Sequence, residues 1–224
     1  MNGYIKIVLL LIINLLSFKI AGFWLGIVVT CIIIYRILTI LGIFRSPILY
    51  RAVFKDGISY TKDYLGLYSK QKKEFIEAAK LIETYKLKNF VVIAFYYDNP
   101  DKVEDNKLRS SIGIYRKNSK DNETVPEDFE KFCETHGYNK NELPKEDCLY
   151  SNWDYFNTLS MIIGYIKFYK LLNNKLKDDF FKKQFRVDEK KIKVTIEVYE
   201  SHNKYMSFYV PLNGDSFMIF KKDK

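Results

Sequence analysis

The sequence predicts an α+β domain made of two similar halves, which follows an apolar amino-terminal segment. Short runs rich in β-branched and aromatic residues are typical of strands, and two longer runs carry apolar residues at helical spacing. The order strand, helix, strand, strand occurs twice along the chain. This order predicts a duplicated domain, with two pseudo-repeats and with the helices on one face of an antiparallel sheet.

Residues 1–50 form the predicted membrane anchor. Residues 7–44 are almost continuously apolar and are interrupted only by Asn14, Ser17, Lys19 and Arg36. Because a span needs about 20 residues, the block 7–18 is too short and the block 20–44 is long enough. Two arrangements are open: one span with an interfacial or lumenal leader, or a tight hairpin of two short helices that turns near Lys19. A cleaved signal peptide is disfavoured because no small-x-small cleavage site follows the apolar block.

The distribution of charge predicts the orientation of this anchor. More basic residues lie late in the apolar region or after it (Arg36, Arg45, Arg51, Lys55) than before it (Lys6, Lys19). The positive-inside rule then places the carboxyl-terminal domain in the cytosol. The reducing cytosol suits the unpaired Cys133 and Cys148. The sequon that begins at Asn122 is therefore expected to stay unmodified.

The net charge of the chain is +9, and it does not predict a nucleic-acid partner. Basic and acidic residues are evenly mixed after residue 50, and no basic stripe interleaves with aromatic residues. The predicted organisation is an anchor over 1–50, a linker over 51–57, a domain over 58–213 and a short basic tail over 214–224.

The first half of the predicted domain is organised around the hairpin Phe90–Lys117. A strand over 58–68 precedes a helix whose apolar face contains Phe75, Ala78, Ala79, Ile82 and Tyr85. Residues 90–97 then form an apolar run that is typical of a buried strand. Pro100 ends this run, and a charged loop leads to a return strand over 111–115.

The second half begins after a polar loop over 118–128 and a short helix over 127–135. A strand is predicted over 148–153, followed by a long apolar helix that is capped by Asp154 or Asn157 and reaches about Asn173. Both sides of this helix are apolar, so it is either deeply packed or partly covered by a partner. Strands over 193–200 and 205–210 complete the domain.

The strand Ile192–Tyr199 carries the candidate ligand site. Its even-numbered aliphatic residues are expected to pack under the helices, which places Glu197 on the open face of the sheet beside Thr195 and Tyr199. Tyr209, from the neighbouring strand, is expected nearby. A carboxylate ringed by aromatic side chains suits a flat or cationic ligand. The alternative is a solvated glutamate on an exposed sheet face.

No catalytic constellation is found in the sequence, and the chain is not predicted to be an enzyme. It contains no glycine-rich phosphate loop, no Ser-His-Asp arrangement and no CxxC pair. His136 and His202 lie in predicted turns, without a carboxylate or cysteine at ligand spacing. No metal or other cofactor is therefore predicted.

Two segments of the central hairpin indicate a family. YYDNP (Tyr96–Pro100) and KLRSSIGI (Lys107–Ile114) resemble the signature hairpin of the testis-expressed ER-phagy receptors, which are single-pass proteins with a cytosolic GyrI-like domain. The segments Asp63–Tyr68, Ile196–Tyr199 and Phe208–Leu212 fit the same pattern. The resemblance implies a GyrI-like fold, an endoplasmic reticulum membrane location and a receptor or scaffold role in selective autophagy of the ER (reticulophagy). Membrane lipid and an autophagy modifier or adaptor protein are the implied partners.

GyrI-like domains elsewhere bind small molecules against a glutamate, and Glu197 matches that glutamate by strand pattern. The alternative function is therefore a membrane-tethered GyrI-like domain that binds a small molecule or is related to hydrolases. In the receptor family an aromatic-x-x-aliphatic motif lies in a long tail, and residues 211–224 contain no such motif. Tyr64 with Leu67, and Phe156 with Leu159, match the pattern inside predicted elements. We expect any ER-phagy role to depend on a partner that carries the motif.

Overall fold

The computed structural model describes residues 3–117, 125–200 and 204–220. The loop that contains Asn122, and His202, lie outside the described residues. The elements in chain order are α1 (Gly3–Ala21), α2 (Phe23–Ile40), β1 (Tyr50–Phe54), β2 (Gly57–Leu65), α3 (Lys72–Thr84), β3 (Phe90–Tyr96), β4 (Arg109–Lys117), α4 (Glu127–Thr135), β5 (Asn139–Leu143), β6 (Glu146–Asp154), α5 (Thr158–Leu176), α6 (Asp179–Phe185), β7 (Thr195–Glu200) and β8 (Tyr205–Pro211).

These elements form two compact units. The first contains the residues up to Pro47 together with Trp153–Leu171, and therefore includes α1, α2 and most of α5. The second contains Ile48–Asn152 and the residues from Leu172 onward, and therefore includes nearly all of the sheet.

In the first unit, α1 and α2 form a helical hairpin. Gly22 joins them at a φ of +81°, a conformation that glycine adopts without steric cost. Asn14 Nδ2 donates a hydrogen bond to Thr30 Oγ1 at 2.9 Å, and these residues are equally distant from Gly22 in sequence, so the helices run antiparallel. The structure thus places two antiparallel helices in this segment, and the number of membrane spans stays a prediction. Among the described residues, Phe23–Ile40 is the one helix whose length and mean hydropathy of 2.2 would allow it to cross a membrane.

The second unit is organised around an eight-stranded sheet in the order β1-β6-β8-β7-β3-β4-β2-β5. One half of the sheet comes from β2, β3 and β4, and the other from β6, β7 and β8. The two halves meet at the antiparallel pair of β3 and β7. The strand that precedes each of these groups in the chain lies with the other group. β1 pairs with β6, and β5 pairs with β2. The predicted α+β fold with two pseudo-repeats is therefore confirmed.

The sheet is strongly curled. β1 and β4 are separated by four strands in the sheet order, yet the Phe54 and Tyr115 rings are 5.2 Å apart between centroids. The Tyr115 hydroxyl also donates a hydrogen bond to the Lys55 carbonyl at 2.6 Å. These contacts bring the distant strands together and define a concave face.

The convex face receives α3, whose residues contact β3 and β4. Edge-to-face contact between Phe75 of α3 and Tyr199 of β7 extends this packing, with the ring centroids 5.1 Å apart. Phe129 of α4 packs on Tyr60 of β2 in the same way at 4.9 Å. We refer to this side of the sheet as the helix face.

Two predicted boundaries differ from the structure. Residues 51–54 of the predicted linker belong to β1, which adds a strand at the edge of the sheet. Gly214–Phe217 of the predicted tail forms a 3₁₀-helix, and Phe217 is completely buried in the core. Both segments are short, so composition alone gave little signal of their packing.

Candidate functional site

The structure places Glu197 on the helix face and not on the open face. Glu197 pairs with Ala94 and Tyr199 pairs with Val92 in the ladder between β7 and β3, and Tyr199 packs against α3. Only 1% of the Glu197 surface is exposed, and its Oε2 atom accepts a hydrogen bond from the Tyr199 hydroxyl. The prediction for this strand is therefore wrong, because the side that carries Glu197 and Tyr199 faces the helices.

The reversal has a physical cause. Alternation of apolar and polar residues shows which side of a strand faces the core only when the other side faces water. In β7 the residues from Ile196 to Tyr199 are all buried, so both sides of the strand face protein. The aliphatic side packs into the concave core with Ile93 and Phe95, and the polar side lies under α3.

Tyr209 lies on the opposite side of the sheet from Glu197. It pairs with Ile196 in the ladder between β7 and β8, and its ring contacts the Phe54 ring at 5.1 Å. The four residues predicted for one site are thus divided between two faces, with Thr195, Glu197 and Tyr199 on one and Tyr209 on the other. A ligand-binding role for the first three stays a prediction.

Tyr209 borders a cavity of about 70 Å³ on the concave face. The cavity is lined by Val53, Phe54, Lys55, Tyr115, Val198 and Tyr209. Phe54, Tyr115 and Val198 are at most 1% exposed and form its inner wall, whereas Val53 and Lys55 are exposed and mark its mouth. The site is therefore a small aromatic cleft, which we call the concave cleft.

The inner wall of the concave cleft is uncharged at neutral pH. Burial raises the pKa of Tyr115 above its ordinary value. The pKa of Tyr209 is also raised, mainly by burial and to a smaller extent by the neighbouring Tyr150. Lys55 is the one charged side chain among the described lining residues. The cleft therefore offers ring faces and a single basic group near its mouth.

Residues 214–220 cover the same core. The Phe217 ring meets the Phe54 ring edge-to-face at 5.3 Å, and the Phe220 ring meets the Tyr97 ring at 5.8 Å. Asp215 anchors the segment through an ion pair with Lys193. We call residues 214–220 the cover segment, because it packs on the aromatic cluster that surrounds the concave cleft.

Sequence reasoning missed Phe54 and Tyr115 as site residues. Phe54 lay in the predicted linker, although the run Tyr50–Phe54 contains β-branched and aromatic residues that are typical of a short strand. Tyr115 was assigned to a strand but not to a site. No local signal identifies their contact, because it depends on the curl of the whole sheet.

The segments that match the adaptor pattern both lie in folded elements. Tyr64 pairs with Ser110 inside the sheet, and Leu67 accepts a hydrogen bond from Lys70 as a 3₁₀-turn begins. The Phe156 N–H donates to Ser160 Oγ at 2.7 Å, and Leu159 lies in the first turn of α5. Each segment would need local opening before it could pair as an extended strand with a partner.

The hairpin motif that carries the family resemblance has a structural explanation. Arg109 donates to both carboxylate oxygens of Asp98, at 2.7 Å from Nη2 and at 2.9 Å from Nε. The Arg109 N–H adds a third hydrogen bond to Asp98 at 2.8 Å. These motif residues therefore close the ends of β3 and β4 and need no ligand to account for them.

Among the described residues, no group of three or more His, Cys, Asp or Glu side chains could hold a metal ion. Comparison with protein-family profiles finds no match, and no curated protein matches the chain. These comparisons give no support to the testis-expressed ER-phagy receptor family or to an autophagy partner.

Solved structures do match. The carboxyl-terminal domain of EcmrR aligns with a TM-score of 0.43 and 8% identity, over 74% of this chain and 96% of that chain. SAV2435 bound to tetraphenylphosphonium aligns with a TM-score of 0.45 and 12% identity, over 77% and 98%. A hydrolase from Listeria innocua aligns with a TM-score of 0.43 and 12% identity, over 75% and 91%. At these values the matches identify neither a family nor a ligand for this chain.

Proposed function

We propose that this chain is a membrane-tethered domain that binds small, flat, largely apolar molecules in the concave cleft. The observation that carries the proposal is the meeting of Phe54, Tyr115 and Tyr209 around a cavity on the curled side of the sheet. Aromatic side chains with a few polar groups at the rim are the usual lining of small-molecule sites. Ring-to-ring contact adds about 0.5–1.5 kcal/mol per pair beyond area burial.

The size of the cleft requires movement on binding. Its volume of about 70 Å³ is below the range of roughly 300–1,000 Å³ that drug-sized ligands occupy. The cover segment is the element whose displacement would enlarge the cleft, because Phe217 packs directly on Phe54. Binding and displacement of the cover segment are therefore coupled in this proposal.

The charge of the cleft favours a neutral ligand over a cation. Glu197, the carboxylate expected beside the ligand, lies across the sheet from the cleft. The tyrosine hydroxyls of the cleft stay protonated, and Lys55 repels a cation at the mouth. A cation would be attracted only by the ring faces, through a contribution of about 0.5–2 kcal/mol.

Saturation-transfer NMR on the full chain in detergent tests this proposal. Indole serves as a small neutral probe, and phenyltrimethylammonium serves as a cationic probe of similar size. We expect transfer to indole that is weakened by Tyr209→Ala, because the variant removes one ring of the cleft. Tyr64→Ala is the matched control, since this tyrosine lies in β2 and does not line the cleft.

Equal transfer to indole in the wild-type protein and in folded Tyr209→Ala would contradict the assignment of the cleft. Stronger transfer to phenyltrimethylammonium than to indole would contradict the proposed charge preference and would leave the location intact. Micelles without protein correct for partition of either probe into detergent.

We also propose that the helical hairpin holds this domain at the cytosolic face of an endoplasmic reticulum membrane. The basic residues that follow α2, Arg45, Arg51 and Lys55, support the cytosolic side. The hairpin motif of residues 96–114 supports the ER through resemblance alone. No observation in the described residues favours an autophagy partner, because both adaptor-like segments belong to folded elements.

A further inference from the structure

A stripe of exposed apolar side chains runs along the first half of α5. Leu159, Ile162 and Ile166 are 52%, 44% and 63% exposed. Residues spaced by three and four positions lie on the same side of a helix, so these three form one stripe about 10 Å long. The helix is apolar on its other side too, where Phe168 is completely buried. The exposed stripe, which we call the α5 stripe, is therefore additional to the core side of the helix.

The character of the stripe changes along the helix. Lys170 continues the same side of α5 four residues beyond Ile166 and is also exposed. The side is thus apolar near the start of α5 and basic further along. Such a change is expected where a helix leaves an apolar environment and enters the headgroup region or water.

Lys167 ties this part of α5 to the carboxyl-terminal end of α2. Its ammonium donates hydrogen bonds to the backbone carbonyls of Gly42, Ile43 and Arg45, with the first at 3.0 Å. An ammonium has three donors, and here each meets one of the carbonyls that follow the last turn of α2. A cation at this end of a helix is also favoured by the helix dipole.

A second tie lies at the start of the same segment. Arg45 Nη1 forms an ion pair with Asp154 Oδ2 at 2.7 Å, and the Arg45 guanidinium lies 5.0 Å from the centre of the Trp153 ring. A Cβ atom added at Gly42 would lie only 2.5 Å from the Trp153 ring. Residues 153–167 therefore run alongside the segment 42–45, and both belong to the first unit.

We infer that the α5 stripe inserts into the surface of the bilayer that the helical hairpin enters. The end of a membrane-crossing helix lies at the interface between lipid tails and water. Lys167, midway along α5, and Asp154, which precedes the helix, hold the first half of α5 beside the end of α2, and so the stripe lies at the same depth. Interfacial helices of this kind bury their apolar side roughly 5–10 Å into the boundary of headgroups and acyl chains. This inference rests on the proposed membrane tether.

Lipid suits the stripe better than a second copy of the chain. Stable protein interfaces bury at least about 1,200 Å² in total, and three aliphatic side chains supply a small part of that area. The neighbouring Ile43 and Phe44, which follow α2, are 39% and 59% exposed and extend the apolar surface toward the hairpin. The hydrogen bond from Lys167 to the Ile43 carbonyl brings α5 beside this exposed apolar segment.

Site-directed fluorescence in vesicles tests the inference. Cys31 is exposed and is replaced by alanine, whereas Cys133 and Cys148 are buried with pKa values raised by burial to about 12, so they resist labelling. Single cysteines are then introduced as Ile162→Cys and, on the same side of α5, Lys170→Cys. Each is labelled with the environment-sensitive dye NBD, and the full chain is reconstituted into phosphatidylcholine vesicles.

We expect the label at position 162 to emit at shorter wavelength, to be quenched by doxyl-labelled phosphatidylcholine and to be protected from iodide. The label at position 170 is the matched control and should show more iodide quenching and less doxyl quenching. A third variant, Val28→Cys in α2, reports on the tether itself and should be quenched only by the lipid-borne group.

Iodide quenching at position 162 that equals the quenching at position 170 would overturn the inference. Protection of position 162 from both quenchers would also overturn it and would indicate a contact with another protein copy. If Val28→Cys is quenched by doxyl lipid while position 162 is open to iodide, the membrane tether stands and the α5 contact fails. If position 28 is open to iodide, the tether fails and the inference fails with it.

Discussion

At the scale of single residues, the pair of Asp98 and Arg109 shows how a sequence motif can be structural. Partial burial by itself would raise the pKa of Asp98, but the hydrogen bonds and charge of Arg109 outweigh it and lower the pKa below its ordinary value. The Asp98 side chain is only 10% exposed, so this pair is less screened by water than the ion pairs on the surface. The conformation of the hairpin between β3 and β4 therefore depends on an ionised Asp98.

Asp98→Asn is expected to destabilise the protein by about 1–3 kcal/mol at pH 7, because the Arg109 guanidinium loses its charged partner. A carboxyl group whose pKa is lowered by folding stabilises the folded state above its unfolded pKa of about 3.9, and this contribution is lost as the pH falls through the folded pKa. The difference in unfolding free energy between the wild-type protein and Asp98→Asn should therefore shrink below about pH 4. Thermal unfolding in detergent as a function of pH measures it.

Asp179→Asn is the matched control for this prediction, because Asp179 pairs with Lys182 on the surface. This substitution should change stability little at any pH. A difference between wild type and Asp98→Asn that is constant from pH 7 to pH 2 would contradict the assigned role of the charge.

At the scale of elements, the polar pair of Asn14 and Thr30 holds α1 and α2 in register. Asn14 Nδ2 donates to Thr30 Oγ1, and the Thr30 hydroxyl contacts both Asn14 Oδ1 at 3.2 Å and the Gly26 carbonyl at 2.7 Å. In the proposed membrane, lipid tails would be as apolar as leucine side chains, so the apolar residues of α1 and α2 would specify no particular partner. The polar pair therefore supplies the specificity of this contact.

Asn14→Leu is expected to weaken association of the two helices by about 0.5–2 kcal/mol, the range measured for polar contacts between membrane helices. Disulfide formation between cysteines placed at Leu11 and Ile33, in a chain that lacks Cys31, reports on their approach in vesicles. Cross-linking should be slower in the Asn14→Leu chain. Asn174→Leu, on α5, is a control of the same chemistry outside the hairpin, and equal slowing by both substitutions would contradict the role of Asn14.

At the scale of the whole molecule, the proposed membrane hairpin would determine which side of the membrane holds each end of the described chain. A hairpin that enters and leaves on one side places the start of α1 and the sheet in the same compartment. One span with a lumenal leader would place them on opposite sides. The distribution of basic residues predicts that the sheet faces the cytosol, where N-glycosylation does not occur.

In a eukaryotic cell, neither Asn122 nor a sequon appended before Met1 should therefore be modified. A mobility shift on endoglycosidase treatment reads out each site. The positive control is a long, sequon-containing loop inserted at Gly22, which the hairpin would expose in the lumen. Glycosylation at the appended site alone would show a single span, and glycosylation of Asn122 would reverse the orientation of the domain.

The duplication could be predicted from the sequence because it depends on local patterns. The apolar run 90–97 predicts a strand, and the spacing of apolar residues around Phe75 predicts a helix, each from a few neighbouring residues. The exchange of β1 and β5 between halves could not be predicted, because each is only five residues long and pairs with a distant strand. Short strands gain most of their stability from their partners and carry little signal of their own.

Local patterns in the sequence were enough to predict the apolar amino-terminal segment, the longer strands and helices of both halves and the alternation of side chains along β7. Which side of β7 lies under α3 depends on tertiary packing. Both sides are buried, so hydrophobicity does not distinguish them, and Glu197 accepts a hydrogen bond from the Tyr199 hydroxyl inside the protein. The curl of the sheet likewise decided that Phe54 and Tyr115 meet. A site assembled from strands that are far apart in the sheet depends on the geometry of every strand between them.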